Sequence, residues 1–315
     1  MYFIITVDTE ADNQWDRPSG EKLYNISFLS RFQKLCNRFN FPVSYLITYE
    51  VASDDQSVQI LKAFQAEGAE IGAHLHPWTT PPFVLNRDLE RSIHRFPHEL
   101  SKKELKAKLF SLTEVITKNF GRPISYRSGR WGFSNKVAKE LSSQGYLIDC
   151  SVTPKLSWQK TEGDPNKSGG ADFRQALLTP HYWGDIFEIP LTVIVTSFFV
   201  KDDGWALKMY NLCSDGLLKK IVNKLFLRVK TLRIFPTTKK SDFVKIILAA
   251  KRNKLPVIEF MIHSSELMPG ASKYAKTKQD VDRIYERLEE LFLLVDKHKI
   301  KGITLKDYYK IQSQI

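Results

Sequence analysis

His74 and His76, in the stretch EGAEIGAHLHPW, are two imidazoles one residue apart at the end of a short apolar run. Extended backbone repeats its side-chain direction every second residue, so both rings can face the same side. Asp8 and Glu10 repeat that spacing at the end of the chain's first apolar run. Two carboxylates and two imidazoles form a donor set for one divalent metal. Imidazole suits zinc, and carboxylate admits zinc, iron, cobalt or manganese. His263 closes a third apolar run, PVIEFMIH, while Arg127 and Arg130 stand three residues apart in YRSGRWGF. A guanidinium fork can hold a catalytic carboxylate, or a carboxylate or phosphate of a substrate. Each feature alone has an ordinary explanation: a strand-end acid paired with a lysine, a chance H-x-H, a surface turn around a packed tryptophan. Taken together they predict strand tips that share one rim.

The elements that must position these residues follow from periodicity. Residues 2–10 read as a buried strand, with Phe3, Ile5 and Val7 on one face and Ile4, Thr6, Asp8 and Glu10 on the other. A loop over the rim is expected at residues 11–25, and a helix at about 27–40. Strand 43–48, a helix over about 56–66 stopped at Gly68, and the strand bearing His74 come next. Ser101 and Glu104 form a capping-box pattern ahead of a helix to Asn119, and Ser134 caps another to about Ser143. A short strand running into a Gly-rich turn is expected at 124–133, and strands at 146–152, 185–194 and 256–263, with a long polar loop at 155–180. A helix over about 278–297, a short strand near Ile303 and a helix over 305–312 close the chain. Strand and helix alternating over this length predict an α/β fold with a parallel sheet, open or closed, in a single domain over 1–315.

At 315 residues the chain is long enough for a full core. Cys36, Cys150 and Cys213 are scattered, without a CxxC, and read as buried thiols of a reducing compartment. YFIITV lacks the basic flank and length of a signal sequence, and no run approaches the roughly 20 apolar residues of a membrane span. A cytoplasmic protein is the expectation. The net charge of +12 favours anionic partners, but no nucleic-acid motif accompanies it, and nucleic acid is not expected as a partner.

In order, TVDTE, EIGAHLHPW, YRSGRWGF, FEIPLT and MIHSSELMPG resemble the motifs of the polysaccharide deacetylase superfamily, from Thr6 to Gly270. The resemblance is to a divergent branch of the carbohydrate esterase family 4 type. It implies a distorted (β/α) barrel with a catalytic divalent metal at the strand C-termini, most readily zinc, and hydrolysis of an acetamide on an amino sugar. It also implies roles: Asp8 as catalytic base, His74 as first metal histidine, Arg127 orienting the base and His263 as general acid. Trp131 and the segment Trp183 to Pro190 match walls of the substrate pocket, and Trp78 and Arg130 join them as expected substrate contacts. Two positions depart from the pattern. The residue after the base is Thr9 where the family has a second aspartate, and Trp78 stands where the family has its second histidine. The i, i+2 geometry suggests that Glu10 and His76 take over as ligands beside His74. If Asp8 ligates the metal instead, Glu10 is the base; the residues leave both open.

A basic insertion at about 205–254 is not required by these motifs. Within it, GLLKKIVNKLFLRVKTLRIF reads as a helix with Leu217, Leu218, Ile221, Val222, Leu225 and Val229 on one side and Lys219, Lys220, Lys224 and Arg228 elsewhere. Such a helix over 216–235 can be an ordinary surface helix or can lie on an anionic membrane face. The second option makes a lipid-linked sugar the natural substrate, a nucleotide-linked one being the alternative carrier. Two further readings of the whole chain stay open: an amidohydrolase on a non-sugar C–N bond, and an inactive glycan-binding relative.

Overall fold

The computed structural model describes residues 1–14, 22–84, 89, 93, 95–167, 169–197, 216, 221–223 and 227–313. The loop expected around Trp15 and Asp16, His94, Cys213 and part of the basic stretch, including Leu217 to Lys220, Lys224 and Leu225, lie outside them.

The first strand, β1 (Tyr2–Thr9), is almost wholly buried, and its two faces diverge as the alternation predicts. Phe3, Ile5 and Val7 join the large core beneath the helices, while Ile4 joins a smaller core with Leu46, Ile148, Phe187, Leu305 and Tyr308. That smaller core fills the base of a curled sheet. On the same face of β1, Thr6, Asp8 and Glu10 rise from it toward the C-terminal rim.

The remaining strands are β2 (Val43–Ile47), β3 (Glu70–Leu75), β4 (Ser125–Ser128), β5 (Ile148–Asp149), β6 (His181–Trp183), β7 (Ile186–Glu188), β8 (Val193–Val195), β9 (Val229–Thr231), β10 (Val257–His263) and β11 (Lys301–Gly302). The sheet order is β10-β1-β2-β3-β4-β5-β7-β6, with β11 beside β1. All its ladders are parallel except β6 with β7. Helices α1 (Tyr24–Arg38), α2 (Tyr49–Ser53), α3 (Asp55–Ala66), α4 (Lys102–Phe120), α5 (Asn135–Ser143), α6 (Lys240–Arg252), α7 (Lys278–Lys297) and α8 (Leu305–Gln312) make the crossovers and close the base. The result is a curled α/β half-barrel: the parallel sheet expected from the alternation, in the distorted (β/α) barrel form that the resemblance implied. Between β7 and β10 the gap is bridged by Thr192, whose Oγ1 accepts from Glu259 N at 2.8 Å.

The capping signals work as read: Ser101 and Glu104 exchange hydrogen bonds at the start of α4, and Ser134 accepts from Val137 N. Two expected strands are shorter, while the short strand and turn expected at 124–133 appear as read. Residues 146–152 hold only Ile148–Asp149, and 185–194 divides into β7 and β8 around Pro190, which has no N–H to continue a ladder; β4 runs into its turn at Gly129. The helix expected across 216–235 does not continue through Val229. Val229–Thr231 is instead β9, paired antiparallel with β8, so Val229 serves a ladder and not a helical face. No helix among the described residues is long and apolar enough to cross a membrane.

Candidate metal centre

Register brings the chemistry together. Asp8 lies opposite His263 on β1 and β10, and His74 lies opposite Arg127 on β3 and β4. In parallel strands such partners share a face, so four residues from distant parts of the chain point into one bowl. Glu10 and His76 each stand just beyond their strand ends. Glu10 is fixed there by its backbone, since its N donates to Ser264 Oγ (3.1 Å) and its carbonyl accepts from Asn25 Nδ2 (2.9 Å). The turn after His76 is tied down by Lys108 of α4, whose buried Nζ donates to the carbonyls of Thr80 (2.7 Å) and Pro82 (2.8 Å).

Donor atoms of Glu10, His74 and His76 all lie within 4.8 Å of one another. Glu10 Oε2 is 3.0 Å from His76 Nε2 and 3.7 Å from His74 Nε2. His74 Nδ1 is 3.0 Å from the Arg127 carbonyl. A carbonyl only accepts, so Nδ1 carries the proton and Nε2 turns its lone pair into the cluster, the arrangement typical of a metal-binding imidazole. Glu10 Oε1 is buried with no hydrogen-bond partner. A buried carboxylate oxygen left bare is costly unless a cation completes it. The set therefore fits a divalent ion: two imidazoles and one carboxylate, with an unsatisfied oxygen among them.

The two imidazoles differ in charge state when no ion is bound. Burial is the main reason that His76 is held down to about 4, which keeps its imidazole neutral at physiological pH. Burial acts the same way on His74, but Asp8 and Glu10 outweigh it and raise its pKa. Burial also resists ionisation of Glu10; His263, His74 and His76 overcome it and leave the carboxyl well below its ordinary range.

Asp8 is bonded differently. Its Oδ1 accepts from Arg127 Nη1 at 2.6 Å, and its Oδ2 is 3.8 Å from both His74 Nε2 and His263 Nε2. Burial opposes its charge, yet Arg127, then His74 and His263, bring its pKa below the usual value. Arg127 is fully buried and spends every arm of its fork: Nε on the Cys150 carbonyl, Nη1 on Asp8, Nη2 on Thr6 Oγ1 and Glu259. His263 is the most open member of the group, with 16% of its side chain exposed against 4% or less for Asp8, Glu10, His74 and His76. Its Nε2 faces Asp8 and Glu10, the latter at 3.9 Å.

The four expected substrate contacts fare unevenly. Trp131 is next to the centre: the Arg127 guanidinium lies over its ring at 5.3 Å, and it stacks on Trp158 at 6.3 Å. Arg130 and Trp131 both have positive φ (56° and 62°), a costly backbone held at the lip of the site. Arg130 itself turns outward, with its guanidinium over Phe96 and its Nη2 donating to the Glu162 carbonyl. Trp78 is 1% exposed and packs on His76 at 4.3 Å, so it backs a ligand and offers no face to a substrate. Trp183 sits on the edge strand β6, edge-on to Phe133 and donating to Asn135.

Several functional candidates escaped sequence reasoning. Glu266 and Arg233 meet His263: its Nδ1 lies 3.0 Å from Glu266 Oε1 and 3.0 Å from Arg233 Nη2, and Arg233 Nη2 lies 2.9 Å from Glu266 Oε1. The spacing of Glu266, three residues after His263, was a usable signal; nothing local marks Arg233. Below Arg127, Glu259 and the in-register pair Asp149 and Glu188 are buried acids with raised pKa values, burial being the leading cause for each.

Glu259 gives a stability prediction. Burial, opposed by Arg127, raises it from 4.5 to about 7. A raised acid contributes stability that is whole below its unfolded pKa and is lost as pH rises through the folded one. The interval corresponds to roughly 3 kcal/mol. In urea denaturation at pH 5 and pH 8, Glu259→Gln is expected to show a smaller loss of stability at the higher pH than the parent. An equal loss in both proteins contradicts this.

Gly129 gives a second. A Cβ there would sit 2.5 Å from His76 Nδ1 and 2.5 Å from the Leu75 carbonyl. Gly129→Ala must displace the imidazole, and zinc affinity measured by calorimetry is expected to fall by roughly 10–100-fold, the scale of losses around metal ligands.

No family model matches the chain, and no curated protein matches it. Solved structures do. A Mycobacterium smegmatis protein assigned as a polysaccharide deacetylase aligns over 96% of this chain and 93% of its own, with 14% identity and a TM-score of 0.52. The chain has the polysaccharide deacetylase fold. The same deacetylase-type barrel is similar to parts of two larger enzymes. A 4-alpha-glucanotransferase from Thermococcus litoralis is 11% identical over 98% of this chain and 40% of its own (TM-score 0.54). A GH57-type branching enzyme from Pyrococcus horikoshii is 10% identical over 98% and 70% respectively (TM-score 0.54). The fold thus fixes where a site is built and leaves the reaction to the side chains.

Proposed function

We propose that the protein is a metal-dependent hydrolase that removes an N-acetyl group from an amino sugar in cell-surface polysaccharide or glycolipid biosynthesis. The observation that carries this reading is the convergence of Glu10, His74 and His76 with the Arg127–Asp8 pair and His263 at the C-terminal rim of a deacetylase-type barrel. Glu10, His74 and His76 are the ligands, and zinc is the metal their chemistry favours. When bound, the ion supplies Lewis acidity, polarising an acetyl carbonyl and making water acidic near pH ~7.

The chain's own residues do the rest. Asp8, kept ionised by Arg127, accepts the proton of the attacking water. Its assignment as base, with Glu10 as ligand, rests on the difference in partners: Asp8 is bonded to Arg127 and Glu10 to His76. His263 donates from Nε2 to the departing amine, which is too basic to leave as an anion at neutral pH. Trp131 shapes the entrance. A glycoside-transfer reading, which the fold alone would admit, is disfavoured because imidazole nitrogens lie within 3.9 Å of both Asp8 and Glu10, leaving no carboxylate pair free to flank a sugar bond.

The buried thiols of Cys36 and Cys150 suit a reducing, cytoplasmic setting. A lipid-linked substrate reached from the membrane face is the carrier that the basic stretch 216–235 favours. The test is metal analysis of the purified protein followed by acetate release from nucleotide-linked and lipid-linked N-acetyl sugars. Equimolar metal with acetate released from one of these substrates supports the reading. A protein that binds no metal would be a glycan-binding relative, and metal without acetate points to another C–N bond.

A further inference from the structure

Arg233 belongs to the basic insertion that the core motifs do not require, yet it ends beside His263, the most open histidine of the centre. Strand pairing explains how. β9 docks on β8 through Val193 with Thr231 and Val195 with Val229, and Leu232 N then donates to the Thr192 carbonyl at 2.8 Å. Thr192 is the residue that bridges to β10 at Glu259. Leu232 and Ile234 are buried on either side, so the backbone carrying Arg233 is fixed to the barrel.

Arg233 Nη2, Glu266 Oε1 and His263 Nδ1 form a triangle with sides of 2.9, 3.0 and 3.0 Å. A guanidinium only donates and a carboxylate only accepts, while Nδ1 can do one or the other. For His263 to give a proton from Nε2 and be left as neutral imidazole, Nδ1 must keep its own proton. Its acceptor is then Glu266. Glu266 is a buried carboxylate on a short 3-10 turn, Ser264–Leu267, and its ion pair with Arg233 selects the rotamer that faces Nδ1.

We propose that Arg233 is the positioning residue of the proton donor: it clamps Glu266 as the acceptor for His263 Nδ1–H, and so aims Nε2 at Asp8 and Glu10. The residue just after β9, within the basic insertion, thereby completes the site. The catalytic consequence rests on the hydrolase reading; the clamp itself does not.

Proton NMR of the metal-free protein tests the clamp without substrate. A downfield, exchange-protected Nδ1–H signal, assigned by its loss in His263→Gln, is expected in the parent and absent in Glu266→Gln. In Arg233→Ala it is expected to broaden or vanish, and to return on adding guanidinium chloride but not sodium chloride at equal ionic strength. Zinc affinity unchanged in Arg233→Ala reports that the fold and the ligands are intact. In acetate release, kcat of Arg233→Ala is expected to fall by roughly 10–100-fold with KM held, again recovered by guanidinium. An Nδ1–H signal unaffected by Arg233→Ala overturns the proposal, as does a raised KM with kcat unchanged, which would make Arg233 a substrate anchor. If the parent releases no acetate, the hydrolase reading fails, and the NMR comparison still decides the part played by Arg233.

Discussion

Replacing His74 and His76 together with alanine is expected to abolish stoichiometric zinc binding. Both imidazoles sit with Glu10 inside a 4.8 Å cluster, and removing them leaves one carboxylate to hold the ion. Changes around metal ligands cost roughly 10–100-fold in affinity, so loss of two ligands is expected to exceed ~100-fold. Calorimetric titration with zinc, repeated for Glu10→Gln, measures the effect directly. The single Glu10 variant removes a ligand charge and is expected to weaken binding while keeping the bowl of the barrel intact. Undiminished affinity in the double variant would mean that the ion, if any, is held elsewhere, and the assignment of ligands would be wrong.

The second large effect is on stability. Arg127→Met strands Asp8 and Glu259 in the barrel without their shared cation. Breaking a buried pair by removing one partner typically costs about 3–5 kcal/mol, because the charge left behind is no longer compensated. The pH dependence follows from Asp8, whose folded pKa lies below its unfolded value because Arg127, with His74 and His263, outweighs burial. A depressed acid contributes stability above its unfolded pKa of ~3.9 and loses it as pH falls through the folded one. The deficit of Arg127→Met relative to the parent is therefore expected to be widest at neutral pH and to narrow below pH ~4. Urea denaturation across that range checks it; a deficit independent of pH would show that lost packing, not charge, sets the cost. Turnover is expected to fall as well, on the order of 100-fold or more, since the base would lose both its charge and its orientation.

Much of the frame was legible without coordinates. The strand of residues 2–10, the capped helices at Ser101 and Ser134 and the closing helix at Leu305 rest on local rules, namely alternation, capping and helical spacing, which tertiary contacts here reinforce. The placement of His74 with His76 and of Asp8 with Glu10 was legible for the same reason: an i, i+2 pair on a strand end has few directions open to it. The failures share a cause too. Trp78 continues the same alternation from His76, and sequence could not reveal that the ring packs behind the imidazole. Val229 fits a helical stripe by spacing, yet its partner is β8, and long-range pairing overrode the local pattern.

The sequence by itself determined which residues stand at the strand tips and which face of each strand they share, because the pleat dictates both. The resemblance implied Arg127 beside Asp8 and the spacing suggested Glu10 beside the histidines, but only the tertiary structure fixed the full set of partners. Arg127 takes Asp8 and Glu259, Glu10 is left to the histidines, and Arg233 reaches Glu266 beside His263. Those pairings depend on strand register and on β9 docking against β8, and buried charges are matched through space, where distance along the chain carries no weight.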